Sequence, residues 1–217
     1  MRSRLATLVM GLLLLPVLSG CNTRTDAEGL ARESTVDTAG DQHAETTMPV
    51  PRDGADLIGA ALPSGLERGL DASGNAPRVT LYRWWTDKCP FCVASLPAIE
   101  ELRLAFADRG LETIAVFHPK PPIRSGEIPL ASIREAAAAR GYHGRVATDL
   151  DWNLLRELWL DSGTRRATSA SFLCDQNGIV RFVHPGPELH RSADTQHELC
   201  DADYRALEQA IETLLAE

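Results

Sequence analysis

The sequence lacks an excess of basic residues, which nucleic-acid binding usually requires, and it has too few cysteines for a cysteine-rich zinc scaffold. Its 22 basic residues are outnumbered by 30 acidic residues, so the net charge is -8 at pH 7. A basic surface, the usual requirement for binding nucleic acid, is therefore not expected. Five cysteines include a single Cys-x-x-Cys motif, which excludes a zinc site built from two such motifs. What is present, 44% hydrophobic residues in 217, is enough for one compact domain.

The first twenty residues are typical of a bacterial signal peptide. Arg2 and Arg4 precede an apolar run from Leu5 to Leu18 that is too short to span a bilayer comfortably. The run leads into Cys21 in a pattern that resembles the lipobox, in which the cysteine is diacylated, and two acyl chains suffice for stable anchoring. We expect Cys21 to be the lipid anchor, and Asn22 after it slightly favours the outer membrane. An ordinary secretory signal with an incidental Cys21 is the alternative.

Composition divides the remaining chain into three parts. Residues 21–50 are polar and contain no aromatic residue, which predicts a disordered tether. Residues 51–77 carry short apolar pieces between Gly and Pro residues and are expected to form an N-terminal extension that packs on the domain. Residues 78–217 hold the patterns of a folded domain.

Apolar patterning predicts a strand, a helix and a second strand at the start of this domain. Val79–Trp85 and Leu111–Phe117 are rich in aromatic and β-branched residues, as buried strands are. Between them, Cys92 begins a stretch to Phe106 with apolar residues every three or four positions, and Pro97 should kink that helix. Strand, helix and strand in this order form the unit of a parallel sheet.

Weaker patterns predict the remaining elements. These are a helix at 131–140, a strand at Arg145–Thr148, a helix at Trp152–Leu160, a hairpin of 172–174 and 179–183 with Asn177-Gly178 in its turn, and a last helix capped by Asp201 or Asp203.

Cys89 and Cys92 lie where the first strand enters its helix. Only Cys89 can be exposed at the helix start, where unpaired N–H groups and the positive end of the helix dipole stabilise a thiolate. Cys92, one turn on, is close enough to close a disulfide but more shielded. The arrangement predicts attack by the Cys89 thiolate on a substrate disulfide, followed by resolution by Cys92. Neither a metal nor another cofactor is required.

The stretch from Trp84 to Cys92, with Pro97 eight residues after the first cysteine, resembles the active-site segment of thioredoxin-like proteins. Residues 168–175, followed by Asn177 to Val180, are similar to the strand hairpin of TlpA-type membrane-tethered thiol-disulfide reductases, and the resemblance covers about residues 70–216. It implies an α/β thioredoxin-like fold, with a central mixed sheet flanked by helices. It also implies a substrate groove beside the cysteines, for which the candidates are Trp85, Pro90, Phe91, Thr168, Ser169 and His184.

Two residues depart from the family pattern near the cysteines. Ser169 stands where the family has a cis-proline, and because a cis peptide there would cost about 2.5–4 kcal/mol, we expect a trans bond. Arg83 stands where thioredoxins usually carry a buried carboxylate that moves protons for the resolving cysteine. Glu100 or Glu101 could substitute for it. Arg83 could lower a thiolate pKa, but the expectation slightly preferred is that it reaches solvent and takes no part in the chemistry.

The cysteines and histidines also allow a metal-binding function and raise the question of a second disulfide. Cys89 and Cys92 with His118 or His184 could bind copper or zinc, which would make the chain an envelope metal carrier. A bridge between Cys174 and Cys200 is not expected, because the topology places them at opposite edges of the sheet.

A thiol peroxidase is the second alternative, since Thr86 to Cys89 contains the Thr-x-x-Cys part of the peroxiredoxin pattern. Tyr82 replaces the proline of that pattern, which argues against it.

The sequence therefore predicts a lipid-anchored thiol-disulfide oxidoreductase on the periplasmic side of a bacterial membrane. By resemblance, a reductase is favoured over an oxidase. Its expected partners are exported thiol or disulfide proteins and a membrane electron donor, with no nucleic acid.

Overall fold

The structure is a computed structural model that describes residues 54–63, 65–66, 77–124 and 128–217. The strands are Val79–Trp85 (β1), Leu111–Phe117 (β2), Arg145–Thr148 (β3), Ser171–Asp175 (β4) and Val180–His184 (β5); the α-helices are Pro90–Phe106 (α1), Leu130–Ala138 (α2), Asn153–Leu158 (α3) and Glu198–Ala216 (α4). Short 3₁₀ helices cover Ala55–Leu57, Ala107–Arg109, Leu160–Ser162 and Thr195–His197. Signal peptide, tether and Cys21 lie outside the described residues.

The five strands form one mixed sheet in the order β3-β2-β1-β4-β5. The first three strands are parallel, and β4 is antiparallel to both β1 and β5. The central position of β1 follows from its sequence, since all seven of its residues are buried. The expected mixed sheet flanked by helices is confirmed, and β1, β2 and β3 have the predicted bounds.

Alternation along β1 divides the core into two layers. Leu81 and Trp85 face the layer that contains the apolar stripe of α1, whereas Tyr82 and Trp84 face the layer that contains α3 and Trp159. Because side chains two apart in a strand share a face, Arg83 lies between Leu81 and Trp85 on the α1 side. The strand therefore places a charged residue inside a hydrophobic layer.

Two predicted helix starts are wrong. The helix α3 begins at Asn153, because Trp152 has a left-handed φ of 67° and Asp149 accepts hydrogen bonds from the N–H groups of Leu154 and Leu155. The helix α4 begins at Glu198, before both aspartates that were expected to cap it.

Asp194 provides a cap instead of Asp201 or Asp203. Its carboxylate accepts from Gln196 N at 2.9 Å, which starts the 3₁₀ helix that runs directly into α4. Asp201, inside α4, accepts a hydrogen bond from Ser192 N at 3.1 Å and so ties the preceding loop to the helix.

Residues 54–62 cover the outer edge of the sheet. Gly59 N donates to Val180 O at 2.8 Å, and Val180 N donates to Ala60 O at 2.9 Å. Asp56 forms an ion pair with Arg165, whose guanidinium lies 4.4 Å from the centre of the Trp159 ring. This part of the N-terminal extension therefore satisfies the backbone groups that β5 would otherwise expose.

Candidate active site

The two cysteines occupy the junction between β1 and α1. Cys89 is the N-cap residue of the helix, with extended backbone angles, and Pro90 takes the first helical position, where its missing N–H costs nothing. Cys89 is partly exposed, whereas Cys92 in the first turn is fully buried. The two thiols are within hydrogen-bonding contact. The geometry matches the predicted division into an accessible and a shielded cysteine.

The surroundings of Cys92 act on its thiol in opposite directions. Burial raises the pKa of Cys92, while the positive charge of Arg83 and a hydrogen bond with Ser169 favour the thiolate. Burial prevails, so the pKa lies above its ordinary value. Cys92 therefore stays protonated at neutral pH, and its activation depends on these two neighbours.

Arg83 is fully buried and does not reach solvent, so the preferred expectation for it is wrong. Its guanidinium contacts polar atoms from four separate segments: Ser95 Oγ at 3.0 Å, Ser171 Oγ at 3.1 Å, His184 Nδ1 at 3.3 Å and Pro187 O at 2.7 Å. These partners explain how the α1 layer accommodates the charge, because both terminal nitrogens of the guanidinium donate to acceptors. Nε is the exception, because no described residue accepts a hydrogen bond from it.

The charge on Arg83 is retained. Burial lowers its pKa to about 10, and the charges of the cysteines and of Glu188 work against that decrease. At neutral pH the guanidinium is therefore still protonated. A fixed cation thus lies beneath the redox pair, at the position where the family places an acid.

The Arg83 guanidinium orients the ring of His184. A guanidinium can only donate, so Nδ1 of His184 must accept from Arg83 and the ring proton must be on Nε2. Nε2 lies 3.4 Å from a carboxylate oxygen of Asp203, but the contact does not have hydrogen-bond geometry. Burial lowers the pKa of His184, and the ring is neutral. It therefore supports the site from below and is not exposed to substrate.

Ser169 provides a hydroxyl where the family has a proline. Its peptide bond with Thr168 is trans, as expected, and its hydroxyl donates to Pro187 O at 3.1 Å. Gly186, with φ of 77°, permits this close approach, because a β-carbon there would lie 2.6 Å from Ser169 O. The Gly186–Pro187 peptide is cis. Pro187 O also accepts from Arg83, so Ser169 could turn its proton to a Cys92 thiolate without leaving that carbonyl unpaired.

Neither glutamate replaces the missing acid. Glu100 accepts two hydrogen bonds from Arg103 and one from His143 N. Its burial raises the pKa, but these bonds prevail and lower it, so the carboxylate stays ionised. Glu101 is exposed. Cys92 is therefore next to a cation, Arg83, and a hydroxyl, Ser169. Neither Glu100 nor Glu101 serves as the acid that moves protons for the resolving cysteine in thioredoxins.

The predicted groove residues fall into two groups. Pro90 is exposed, and Phe91 and Thr168 are half-buried, so these three can touch a substrate. Trp85, Ser169 and His184 are buried and can shape the groove only from beneath. Trp85 packs edge-on against Phe117, with ring centroids 5.1 Å apart.

His118 is neutral and packed in the interior. Among the described residues its ring nitrogens have no hydrogen-bond partner, and the ring packs edge-on against Trp152, with ring centroids 5.3 Å apart. Burial lowers the pKa of His118 to about 3, with a further contribution from Lys120. Among the described residues, the site cysteines form no cluster of metal ligands with His118 or His184.

Cys174 is buried without a disulfide, and Cys200 is disulfide-bonded, so the two do not bridge each other.

Sequence reasoning missed Ser95 and Ser171. Ser95 is fully buried on α1, donates to Phe91 O at 2.8 Å and accepts from Arg83 and from Leu189 N. Its hydroxyl thus uses its one donor and both acceptor positions. A serine three residues after Cys92, on the apolar face of the helix, was the available signal.

Comparison with known proteins gives one family and several similar folds. The sequence matches the Redoxin family over residues 67–199. A putative thiol:disulfide interchange protein DsbE from Chlorobium tepidum is 24% identical, with 64% of this chain and 81% of that chain covered and a TM-score of 0.46. A putative protein disulfide isomerase from Bacteroides thetaiotaomicron is 16% identical, with coverage of 74% and 91% and a TM-score of 0.50. A search of curated proteins found no match. At these identities the structural likeness supports the fold alone.

Replacing Arg83 by Met is expected to raise the pKa of Cys92, because the guanidinium is the nearby cation that favours its thiolate. We therefore expect the Cys92 thiolate to form only at higher pH than in the parent protein. Thiolate absorbance against pH in the Cys89→Ser protein measures it. Arg83→Lys keeps the charge and should shift the titration less.

Arg165→Met is the matched control. Arg165 is also buried, but its guanidinium lies over Trp159, in the other core layer. Its loss should leave the Cys92 titration in place. An identical titration in the Arg83→Met and Arg165→Met proteins would contradict the electrostatic role of Arg83.

His118 is expected to make the protein less stable as the pH falls. In the unfolded chain its pKa is about 6.5, and in the folded protein it is about 3. Between these values only the unfolded state binds the proton, so the free energy of unfolding decreases on acidification. His118→Phe should remove about 2 kcal/mol of the decrease between pH 7 and pH 5. Urea denaturation at both pH values tests this, with the exposed His143→Phe as control; equal decreases in all three proteins would refute it.

Proposed function

Because the chain belongs to the Redoxin family, we propose that its Cys89–Cys92 pair reduces disulfide bonds of exported proteins in the bacterial cell envelope. Family and fold make the chain a thiol-disulfide oxidoreductase, as the resemblance to thioredoxin-like proteins of the TlpA type implied. The observation that carries the proposal is the asymmetry of the pair. One cysteine is accessible at a helix start, and the other is buried one turn on, in contact with it.

The reaction follows from this asymmetry. The Cys89 thiolate attacks one sulfur of the substrate disulfide, forms a mixed disulfide and releases the first substrate sulfur, which takes a proton. Cys92 then loses its proton and attacks Cys89 Sγ, which closes the Cys89–Cys92 disulfide and releases the second substrate thiol. Two electrons pass to the substrate. A dithiol electron donor at the membrane must return two electrons to the pair for the next cycle.

Arg83 and Ser169 act on the second step. Cys92 attacks only as a thiolate, and its burial opposes ionisation. The fixed positive charge and the Ser169 hydroxyl stabilise the thiolate as it forms. Since they act from beneath the pair, the surface above Cys89 stays open to substrate, with Pro90, Phe91 and Thr168 around it.

The envelope location rests on the sequence before the described domain. The signal peptide and Cys21 support export and lipid anchoring, with Asn22 weakly favouring the outer membrane, and the tether would let the domain reach its partners. Within the described residues, no helix is long and apolar enough to cross a membrane.

Cys92→Ser is expected to trap the mixed disulfide, because Cys89 can still attack but nothing resolves the product. Incubation of this variant with oxidised envelope proteins should give adducts that migrate faster after reduction, and wild type should give few. Wild type should also accelerate reduction of insulin by dithiothreitol. Cys89→Ser should abolish both activities.

Cys174→Ser is the control, since Cys174 is buried in β4 away from the pair. It should behave like wild type in both assays. Adducts that form equally well in the Cys89→Ser protein would overturn the assignment of Cys89 as the nucleophile.

A further inference from the structure

A second group of chemically reactive side chains lies in the loop between β5 and α4 and in the first turn of α4. Its members are Glu188, His190, His197 and Cys200, and one potential ligand atom from each lies within 4.8 Å of all the others. The cysteine is buried, and the other three are half-buried. The redox reaction uses none of these four side chains.

The orientation of the His190 ring indicates that a proton or a metal ion lies between this ring and the carboxylate of Glu188. His190 Nδ1 lies 3.0 Å from Arg191 O, and because a carbonyl only accepts, Nδ1 must carry a proton. A neutral ring then directs the lone pair of Nε2 at the carboxylate of Glu188, 3.3 Å away. Two electron-pair donors at this distance repel each other unless a proton or a metal ion lies between them. A backbone carbonyl on the far nitrogen is also the usual support of a metal-binding histidine.

The other two ligands come from the start of α4. His197 and Cys200 are three residues apart, a spacing that places side chains on the same face of a helix. The rings of His190 and His197 have centroids 4.9 Å apart with an interplanar angle of 55°, so they do not stack face to face. Two nitrogens, one sulfur and one carboxylate oxygen are all atoms that zinc binds, and four of them suffice for a tetrahedral site.

Hydrogen bonds hold the backbone of these ligands in place. Leu189 N, between the first two ligands, donates to Ser95 Oγ at 2.9 Å. Ser192 N donates to Asp201 in α4, and the Asp194 cap fixes the turn that carries His197. The loop is therefore anchored to both α1 and α4 around the cluster.

We propose that Glu188, His190, His197 and Cys200 form a zinc-binding site separate from the redox pair. Cys200 is disulfide-bonded in this structure, so its sulfur can be the fourth ligand only while Cys200 is a thiol, a state that reduction produces and that acylation of the Cys21 sulfur also leaves available. A dithiol supplies two electrons and two protons, is itself oxidised to a disulfide and leaves Cys200 as a thiol, which releases its proton when it binds zinc. Before reduction the other three residues bind zinc more weakly.

Metal binding to the full-length protein with Cys89→Ser and Cys92→Ser tests the proposal without interference from the redox pair. After reduction with a phosphine and removal of excess reductant, we expect one Zn²⁺ per chain by calorimetry. Co²⁺ in its place should give the intense visible bands of a tetrahedral site and a thiolate charge-transfer band. Without prior reduction, affinity should be at least tenfold lower and the charge-transfer band absent.

Substitutions in this background identify the ligands. His190→Ala, His197→Ala and Glu188→Gln should each weaken Zn²⁺ binding at least tenfold, and Cys200→Ser should remove the charge-transfer band. His143→Ala, which changes an exposed histidine elsewhere, should leave binding unchanged. Absence of stoichiometric Zn²⁺ binding, or binding that these ligand variants do not weaken, would refute the site. It would show that only a proton lies between His190 and Glu188.

Discussion

The guanidinium of Arg83 connects the separate pieces of chain that make up the redox site. It donates to Ser95 of α1, Ser171 of β4, His184 of β5 and the carbonyl of Pro187 in the following loop. Because the charge is fully buried, each lost contact would leave a polar group without water or a partner, which is costly. The position of the helix that carries the cysteines, the hairpin beneath them and the loop beside them therefore all depend on one side chain.

This constraint also sets the chemistry of the site. The family's usual acid in this place accepts and returns a proton, whereas a guanidinium at neutral pH can do neither. What it can do is favour negative charge on Cys92, against the effect of burial. The Ser169 hydroxyl, which stands where a proline was expected, adds a second interaction with the same sulfur. In the proposed mechanism, stabilisation of the resolving thiolate therefore takes the place of proton transfer, and Arg83 and Ser169 act on the same sulfur.

The strand bounds and the cysteine pair were predictable from the sequence, whereas the buried contacts of Arg83 were not. The bounds of β1, β2 and β3 followed from runs of apolar and β-branched residues, and the cysteine pair followed from a strand that enters a helix. The partners of Arg83 lie up to 104 residues away in sequence, so no local pattern reveals them. Alternation in β1 could have shown its burial, since Leu81 and Trp85 share its face. The start of α4 was misplaced because Asp194 caps a 3₁₀ turn before it, and the proposed zinc ligands come together only through that turn.

The reduction potential of the Cys89–Cys92 pair tests the central claim most directly. The protein without its signal peptide would be equilibrated against glutathione or dithiothreitol buffers, with and without a metal chelator. We expect a reversible two-electron couple that the chelator does not change, with a potential closer to the roughly -270 mV of thioredoxin than to the roughly -120 mV of a strong oxidant. Failure to form a reversible disulfide, or a potential near that of the strong oxidant, would contradict it.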